Sequence, residues 1–421
     1  MALNSATIAA DARREETSPG IRELESLGVN VKGIEKPTKE KEAQQVLAKA
    51  YQEKLTVFPC GGGTALGSGV LPEKVDIALD TTGMDRVLAF DGNNLNIAVL
   101  GGMTLDAINQ FLAGQGKGFF LPLDPPLSHR ATIGGVYAAN GSGPLRLRYG
   151  VVRDQALGVR GANARGEEIG FGGKTVKNVS GYDLTKFLVG SGGSLCLITS
   201  ISFRVYPLPD ASSLCDIGFG TVEELEKFLA ALRASVLVPS AVVAEPAGGR
   251  FRVLTAFEGH PQAVERQNKD LLALAGKFGG TGAARTGRNA MVEGLRGAVN
   301  PDGATQGGLA LKIAVPIAAG ARALAAAMKL CEENNVAVKA ALYAGNGVVV
   351  LYAAAQGEAA ARLIAGAKAL GQSAGGYTAP LRAHRTVLSS WGARVDPALH
   401  RLVLQPIKEK LDPSGVFPPI L

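Results

Sequence analysis

Hydrophobic and polar positions in the first quarter of the chain follow helical and strand-like patterns in turn. Ala43, Val46, Leu47 and Ala50 have helical spacing, and Thr38 is a favourable N-cap residue, so we expect a helix from there to about residue 53. Short apolar runs predict strands at residues 55–58, 77–79, 87–90 and 97–100. A further helix is expected over residues 105–113, and residues 1–32 are expected to form a poorly ordered arm with one short helix at 21–27.

A single strand or a pair of strands is expected at residues 195–206, and the prolines at 207 and 209 then mark a domain boundary. Thr221 and Glu224 have the spacing of a capping box, which predicts a helix to about residue 232. Strands at 240–244 and 251–258 and a helix at 261–278 follow, and residues 279–308 read as a loop.

The pattern then repeats as strand 310–315, helix 319–333, strands 336–343 and 347–354, and helix 357–371. This order predicts an α+β domain, in which helices back an antiparallel sheet. A last helix is expected in the tail, ended by Asp412 and Pro413.

Glycine is unusually frequent in this chain. It accounts for 55 of the 421 residues, whereas in an average globular protein about 7 % of residues are glycine. It clusters at 61–69, 134–150, 170–193 and 279–308, which indicates loops with special backbone demands. The formal net charge is +7, but lysine and arginine are dispersed and only 5 % of residues are aromatic. The composition therefore disfavours nucleic acid as a partner.

The four cysteines, Cys60, Cys196, Cys215 and Cys331, have no Cys-x-x-Cys spacing. That excludes the usual iron–sulfur and zinc motifs within this sequence, and so few cysteines fit a reducing cytoplasm. The longest apolar stretch is broken by proline, glycine and charged residues, so we expect a cytoplasmic protein with at most peripheral contact at the inner face of the membrane. The four histidines are scattered, so no metal site is expected.

Three consecutive glycines, Gly61, Gly62 and Gly63, follow the apolar run at 55–58. Successive N–H groups in a tight glycine loop can surround an anion such as a phosphate, and Thr64 could add a hydroxyl donor. The same residues could also form an ordinary turn.

A second glycine-rich region carries five short motifs. They are Pro-Leu-Asp-Pro-Pro at 122–126, Ala-Thr-Ile-Gly-Gly at 131–135, Ala-Asn-Gly-Ser-Gly at 139–143, Arg-Tyr-Gly at 148–150 and Lys-Asn-Val-Ser-Gly-Tyr-Asp at 177–183. Gly134 and Gly135 would let a short helical turn approach a ligand closely, and the amide of Asn140 could donate to a polar ring edge.

Together with Gly-Ser-Gly-Gly-Ser-Leu at 190–195 and the tail at 408–419, these loops resemble the FAD-binding domain of the vanillyl-alcohol oxidase / p-cresol methylhydroxylase flavoproteins. The resemblance covers residues 35–210 and 398–419. Within that family the chain is most similar to the second flavin subunit, the E subunit, of bacterial glycolate oxidase. The resemblance implies an α+β fold with a two-part FAD-binding domain of this type and a smaller cap domain. The cap domain would be an antiparallel sheet backed by helices. The expected divisions are an arm at 1–32, the FAD domain at 33–210, the cap at 211–395 and a returning segment at 396–421.

The resemblance also implies the cofactor-binding residues, with the loop at 61–65 around the FAD pyrophosphate. They are Pro59, Cys60, Gly61, Gly62, Gly63, Thr64, Ala65, Leu66, Pro122, Asp124, Pro125, Ala131, Thr132, Ile133, Gly134, Gly135, Asn140, Gly143, Tyr149, Gly150, Gly193 and Ile198.

Two features of the family are missing from this sequence. Some members link a histidine beside the first loop to the flavin, whereas Thr64, Ala65 and Leu66 stand here, so non-covalent FAD is expected. Hydroxy-acid dehydrogenases of the family carry a metal-binding segment of the form His-x-Gly-Asp-Gly-Asn-x-His. The nearest segment here, residues 342–349, contains no histidine, so no metal and no catalytic residue is assigned.

Several polar residues allow more than one interpretation. Lys177, Tyr182 and Asp183 could lie near the flavin, or could pack and cap a helix. Arg146 and Arg148 could bind a phosphate or carboxylate, or face solvent. The cluster Arg382, His384 and Arg385 could bind a carboxylate or a partner, or lie on a loop surface, and Trp391 is expected to be a packing anchor.

The resemblance implies an FAD-binding subunit of a glycolate or D-lactate dehydrogenase complex, which carries electrons between a paralogous catalytic flavoprotein and an iron–sulfur subunit. Its small-molecule substrate would be a 2-hydroxy acid. Two alternatives stay open: a stand-alone FAD-dependent dehydrogenase, and a scaffold that has lost the flavin. The intact glycines at 61–63 and 134–135 speak against the scaffold.

Overall fold

The computed structural model describes residues 17–173, 184–303, 305, 307–389, 391 and 397–420. Within these ranges the strands form sheets of two, three, five and eight strands, with helices packed against them. The expected α+β fold is confirmed. In the described part of the chain, no helix combines the length and the hydropathy needed to span a bilayer.

The three-stranded sheet is parallel, with Lys74–Asp80 between Asn30–Glu35 and Val57–Cys60. The helix Pro19–Ser26 precedes its first strand along the chain, and the helix Glu40–Glu53 connects the strands Asn30–Glu35 and Val57–Cys60. Strand Asn30–Glu35 lies across the expected boundary at residue 33, so residues 17–32 are folded rather than a loose arm, while residues 1–16 lie outside the described residues.

The N-cap predicted for the second helix is wrong. Lys39 occupies the N-cap, and the helix begins at Glu40. Thr38 instead donates from its backbone N and its hydroxyl to Glu42 Oε2, at 2.8 and 3.0 Å. A glutamate in the first turn therefore satisfies the donors that precede the helix.

The five-stranded sheet is antiparallel, and its strands pack against short helices in one core that includes Ile97, Tyr137 and Phe203. The strand order is Val87–Asp91, Asn96–Leu100, Leu197–Arg204, Ala156–Ala162 and Glu168–Gly172. The helices of this half are Leu105–Ala113, Ile133–Ala139, Arg146–Tyr149, Val152–Gln155 and Leu184–Phe187, and the strands Phe119–Phe120 and Tyr206–Pro207 pair beside them. The apolar run at 195–206 contains the one long strand at 197–204.

The eight-stranded sheet is antiparallel, as expected for the second half. Its order is Thr281–Thr286, Ala211–Phe219, Arg250–Gly259, Ala241–Ala247, Val338–Tyr343, Val348–Ala353, Leu309–Ala314 and Tyr377–Arg382. Its helices are Val222–Ala234, Pro261–Gly276, Arg288–Val299, Gly320–Glu333, Gly357–Ser373 and Arg385–Ser389. The capping box is confirmed, since Glu224 N donates to Thr221 Oγ1 at 3.2 Å and Thr221 N donates to Glu224 Oε2 at 3.2 Å.

The loop expected at residues 279–308 is wrong. It contains the strand Thr281–Thr286 and the helix Arg288–Val299. The sequence Thr-Gly-Ala-Ala-Arg-Thr is mostly exposed and shows no apolar alternation, so its pairing with Ala211–Phe219 alone defines the strand. The helix buries Met291, Leu295 and Ala298.

The C-terminal segment returns to the first half of the fold. A short helix Pro397–Leu399 and a π-helical turn His400–Leu404 lead into the helix Gln405–Leu411, which ends just before Asp412 as expected. Lys408 Nζ donates to Ser194 O at 2.7 Å and pairs with Asp412 Oδ2 at 2.6 Å. Val57 N donates to Val416 O at 2.7 Å, which joins this segment to the strand before the glycine loop.

Candidate functional site

The glycine loop at 61–65 follows the strand Val57–Cys60 and borders a cleft of about 730 Å³, which we call the loop cleft. Most of its wall is supplied by residues 58–66, by residues 132, 134 and 135 at the start of a helix, and by residues 192, 193 and 196–198. None of the five backbone N–H groups from Gly61 to Ala65 donates to an acceptor within the described residues. Since backbone donors normally have partners, five successive unpaired ones indicate a site for an external acceptor.

The loop packs so closely on its neighbours that side chains are excluded. A Cβ on Gly61 would lie 2.0 Å from Thr132 Oγ1, and a Cβ on Gly62 would lie 1.7 Å from the carbonyl oxygen of Arg130. Gly63 has φ +72°, and a Cβ there would lie 2.9 Å from the Cβ of Glu23. The sequence therefore needs glycine at all three positions to keep the N–H groups directed at the cleft.

Arg130 places a positive charge beside this loop. Its NH2 group donates to Gly62 O at 3.1 Å, and its Nε is buried without a hydrogen-bond partner. A guanidinium and a row of N–H groups are the donors that a diphosphate requires. The observed residues thus fit the pyrophosphate of a dinucleotide.

The helix Ile133–Ala139 forms the opposite wall of the loop cleft. Gly134 N donates to Gly101 O at 2.7 Å, and a Cβ on Gly134 would lie 2.9 Å from that oxygen. Asn140 ends the helix in a left-handed conformation, with φ 49°. Gly135 and Ala139 line both this cleft and a second cavity.

The second cavity, the cap cavity, lies between the glycine loop and one face of the eight-stranded sheet and has a volume of about 1420 Å³. Arg130, Arg146 and Lys312 line it, and none of the three forms an ion pair within the described residues. Glu23 contributes a carboxylate to the wall of the cavity, and this carboxylate already forms an ion pair with Nε of Arg382. The cavity therefore carries excess positive charge, which favours an anionic ligand.

Two buried tyrosines of the cap sheet also line the cap cavity. Tyr343 is 2 % exposed and Tyr352 is 8 % exposed. Burial raises the pKa of both phenols above the ordinary value, so both stay protonated at neutral pH and can act as hydrogen-bond donors. The hydroxyl of Tyr343 has no hydrogen-bond partner.

The structure brings most of the sequence-predicted site residues to these two cavities. Those that line the loop cleft are Pro59, Cys60, Gly61, Gly62, Gly63, Thr64, Ala65, Leu66, Thr132, Gly134, Gly135, Gly193 and Ile198. Pro125 and Asn140 line the cap cavity. Those that line neither are Pro122, Asp124, Ala131, Ile133, Gly143, Tyr149 and Gly150.

Asp124 and Gly143 line neither cavity, but they contact each other next to the helix that carries Arg146. Asp124 Oδ2 accepts from Leu145 N at 2.9 Å, and a Cβ on Gly143 would lie 1.8 Å from the carbonyl oxygen of Asp124. Burial raises the pKa of the Asp124 carboxyl well above its usual range, opposed by the hydrogen bonds from Leu145 and Gly143. This contact holds the start of the helix that carries Arg146.

Tyr149 and Arg148 join the two halves of the fold. Tyr149 Oη donates to Glu258 Oε2 at 3.0 Å, and Arg148 NH1 donates to the carbonyl oxygen of Glu258 at 2.7 Å. Arg288 pairs with Glu258 Oε1 at 2.9 Å and covers the ring of Phe120 at 4.1 Å. The interpretation that the Arg148 side chain only faces solvent is therefore wrong.

The cluster at 382–385 contacts the N-terminal helix. Arg382 pairs with Glu23, and Arg385 Nε donates to Gly28 O at 2.8 Å. Trp391 is 4 % exposed within the core, as expected for a packing anchor. Lys177, Tyr182 and Asp183 lie outside the described residues.

The segment that resembles the histidine motif lies on the cap cavity. Aligned on Gly345 and Gly347, its two histidine positions fall on Tyr343 and Val350, and both line the cavity. Within the described ranges, no group of three or more histidine, cysteine, aspartate or glutamate side chains could hold a metal ion.

Four residues of the site were not predicted from the sequence, namely Arg130, Lys312, Tyr343 and Glu23. Lys312 gave one available signal, since it is the charged residue in an otherwise apolar strand, Leu309–Ala314. Arg130 and Glu23 had none, because their role depends on contacts between distant segments.

Comparisons with known proteins agree with this geometry. Residues 31–172 match the family described as "FAD binding domain". The chain is 36 % identical to a D-lactate dehydrogenase of Archaeoglobus fulgidus over 192 residues, 45 % of this chain and 42 % of that protein. It is 29 % identical to glycolate oxidase subunit GlcD of Bacillus subtilis over 258 residues, 57 % of this chain and 54 % of that protein. The chain thus spans about half the length of these relatives.

Solved structures share the fold over nearly the whole chain. The xylooligosaccharide oxidase of Myceliophthora thermophila, solved with xylobiose, has a TM-score of 0.71 at 15 % identity, covering 99 % of this chain and 95 % of that one. A glucooligosaccharide oxidase of Acremonium strictum, described with a 6-S-cysteinyl, 8α-N1-histidyl FAD, has a TM-score of 0.72 at 15 % identity, covering 96 % and 93 %.

Proposed function

From the premise that residues 31–172 form an FAD-binding domain, we propose that the chain is an FAD-dependent oxidoreductase subunit that serves the oxidation of a small 2-hydroxy acid, of the glycolate or D-lactate type. Relatives named as D-lactate dehydrogenase and as a glycolate oxidase subunit support this substrate class. The proposed assignment within the complex is the second flavin subunit.

The observation that carries the proposal is the row of unpaired N–H groups from Gly61 to Ala65 beside Arg130. These donors would hold the FAD pyrophosphate, and Gly134 and Gly135 would let the helix wall approach it. When bound, FAD supplies a hydride acceptor and an electron carrier. The chain itself binds and orients the cofactor and shields it from water in the loop cleft.

We propose that the cofactor is not covalently attached. All four histidines lie within the described residues, and none of them lines either cavity. The cysteines of the loop cleft, Cys60 and Cys196, are both 1 % exposed. Burial raises the pKa of Cys196 to about 12 and that of Cys60 further, so neither offers a thiolate for attachment.

The cap cavity would receive the carboxylate of the hydroxy acid. Arg146 and Lys312 supply positive charge there without a carboxylate partner of their own in the described chain. Charged donors of this kind fix a carboxylate and orient the carbon that bears the hydroxyl. This observation also favours a second candidate, a stand-alone FAD-dependent dehydrogenase with its own substrate.

The proposed partners are a paralogous catalytic flavoprotein and an iron–sulfur subunit. The sequence has no cysteine spacing for a cluster of its own, so onward electron transfer needs another protein. We place the complex in the cytoplasm with at most peripheral membrane contact, since the four cysteines are free thiols. Co-purification of a tagged chain with both subunits tests this, and recovery of a fully active free monomer contradicts it.

The first test is the visible spectrum of the purified chain, before and after glycolate or D-lactate is added without oxygen. Flavin bands are expected, and acid precipitation should release the FAD into the supernatant. Bands that do not bleach support a relay subunit, whereas rapid bleaching supports the stand-alone dehydrogenase. A protein that stays colourless after FAD is added contradicts both.

A further inference from the structure

Tyr343 lines the cap cavity, and its buried hydroxyl has no hydrogen-bond partner in the described residues. Tyr343 ends the strand Val338–Tyr343 and lies opposite Val348 in the sheet. The residue is 2 % exposed, and its hydroxyl finds no acceptor or donor. A buried polar group left unsatisfied destabilises the protein, so a ligand that completes this hydrogen bond is favoured.

Lys312 lies on the same face of the sheet. It is paired with Val350, which in turn pairs with Ala341 on the strand of Tyr343. The strands of Lys312 and Tyr343 are therefore two positions apart, about 10 Å in the hydrogen-bonding direction. Two long side chains at this separation can reach one small molecule between them.

Arg146 approaches from the other half of the fold. It lies in the helix Arg146–Tyr149, and its NH1 group donates to Ser142 Oγ at 3.2 Å, so the guanidinium keeps further N–H donors. The Asp124–Leu145 hydrogen bond fixes the residue just before it. Arg146 and Tyr343 line the same cavity.

We propose that Tyr343, Arg146 and Lys312 form a carboxylate-binding site of this chain, in which the Tyr343 hydroxyl donates to a carboxylate oxygen and Arg146 and Lys312 neutralise its charge. The inference rests on the proposed function and assigns Tyr343 as a specificity residue. Tyr343 and Val350 both line the cavity on this wall, and of the two only Tyr343 carries a side-chain hydrogen-bond donor.

The test titrates oxalate into the purified chain by calorimetry at fixed ionic strength, because oxalate offers carboxylates but no hydroxyl to oxidise. Tyr343→Phe should weaken oxalate binding about 10- to 100-fold, as expected for a hydrogen bond to a charged group. Lys312→Met should also weaken it at least tenfold. Lys329→Met removes the same charge from an exposed helix position and should leave binding unchanged.

Thermal unfolding provides a second readout. Without ligand, Tyr343→Phe should unfold at the same temperature as the parent chain or higher, since it removes an unsatisfied hydroxyl. With saturating oxalate it should gain less stability than the parent chain. A variant that is destabilised without ligand and unaltered in its response to oxalate would show a purely structural hydroxyl.

The inference falls if the parent chain binds no oxalate at millimolar concentration, or if Tyr343→Phe binds it as tightly as the parent. Its failure is separable from that of the proposed function. A flavin-containing chain with Tyr343-independent binding leaves the function standing and removes the site. A chain that takes up no FAD but binds oxalate through Tyr343 keeps the site and removes the function.

Discussion

Tyr149 donates a hydrogen bond to Glu258, with 3.0 Å between Oη and Oε2, and this contact joins the glycine-rich half of the fold to the cap sheet. The Glu258 side chain is fully buried and also pairs with Arg288 at 2.9 Å. A buried carboxylate held by both a phenol and a guanidinium sets the relative position of the two walls of the cap cavity.

Removing this carboxylate should destabilise the fold. Glu258→Ala leaves Arg288 and Tyr149 without their acceptor, and losing one partner of a buried pair costs about 3–5 kcal/mol. Since Arg288 is 28 % exposed, we expect the lower end of that range in the free energy of unfolding, measured with urea. Glu333→Ala, at an exposed pair, should change it by less than about 0.5 kcal/mol. Equal effects of the two variants would refute the role of Glu258.

Gly62→Ala should abolish FAD binding. The new Cβ would lie 1.7 Å from the carbonyl oxygen of Arg130, so the loop must move and its N–H groups would no longer point together. The FAD content of the purified variant measures this. Gly297→Ala is a matched control, because nothing lies within 4 Å of a Cβ there and alanine favours a helix. Normal flavin content in Gly62→Ala would show that the loop does not hold the cofactor.

Asp76 should give the fold a measurable dependence on acid. Hydrogen bonds from Lys32 and Thr56 lower its pKa from 3.8 to about 2. The charged form stabilises the native state fully above pH 3.8, and this contribution is lost as the pH falls toward 2. The urea midpoints of the parent chain and Asp76→Asn should therefore differ at pH 6 and converge between pH 4 and 2. Asp85→Asn, at an exposed position, should leave the urea midpoint at pH 6 nearly unchanged.

All four thiols should be unreactive in the native protein. Cys60, Cys196, Cys215 and Cys331 are at most 1 % exposed. Burial raises the pKa of Cys196 and Cys215 to about 12 and that of Cys331 to about 11. Titration with a disulfide reagent at pH 8 should detect almost no thiol before urea is added and four afterwards. A thiol that reacts quickly in the native state would contradict the packing described around it.

The glycine loop was predictable because three consecutive glycines mark it in the sequence, although the contacts that exclude a Cβ there come from distant segments. The capping box at Thr221 and Glu224 was predictable because its two partners lie three residues apart. The strand Thr281–Thr286 was not, because pairing with a strand more than sixty positions earlier determines it rather than its own side chains.

The walls of the cap cavity were also beyond local reasoning. Tyr343 and Lys312 face the same space only because the sheet order places their strands two apart. Arg146 was recognised as a possible carboxylate ligand, but its neighbours come from the other half of the fold. The hydrogen bond from Tyr149 to Glu258 was likewise not predictable, because it joins residues of the two halves, and the expected contact of Tyr149 with the cofactor stays a prediction.

The return of the C-terminal segment has a consequence for biosynthesis. Val416 bonds to the strand that leads into the glycine loop, and Lys408 holds the carbonyl of Ser194 beside the loop cleft. A ribosome makes these residues after all eight strands of the cap sheet, so the glycine-rich half emerges first but is completed last. Until then the glycine-rich half lacks these contacts of the C-terminal segment. Folding of the cap, which lies between the two parts in the sequence, brings them together.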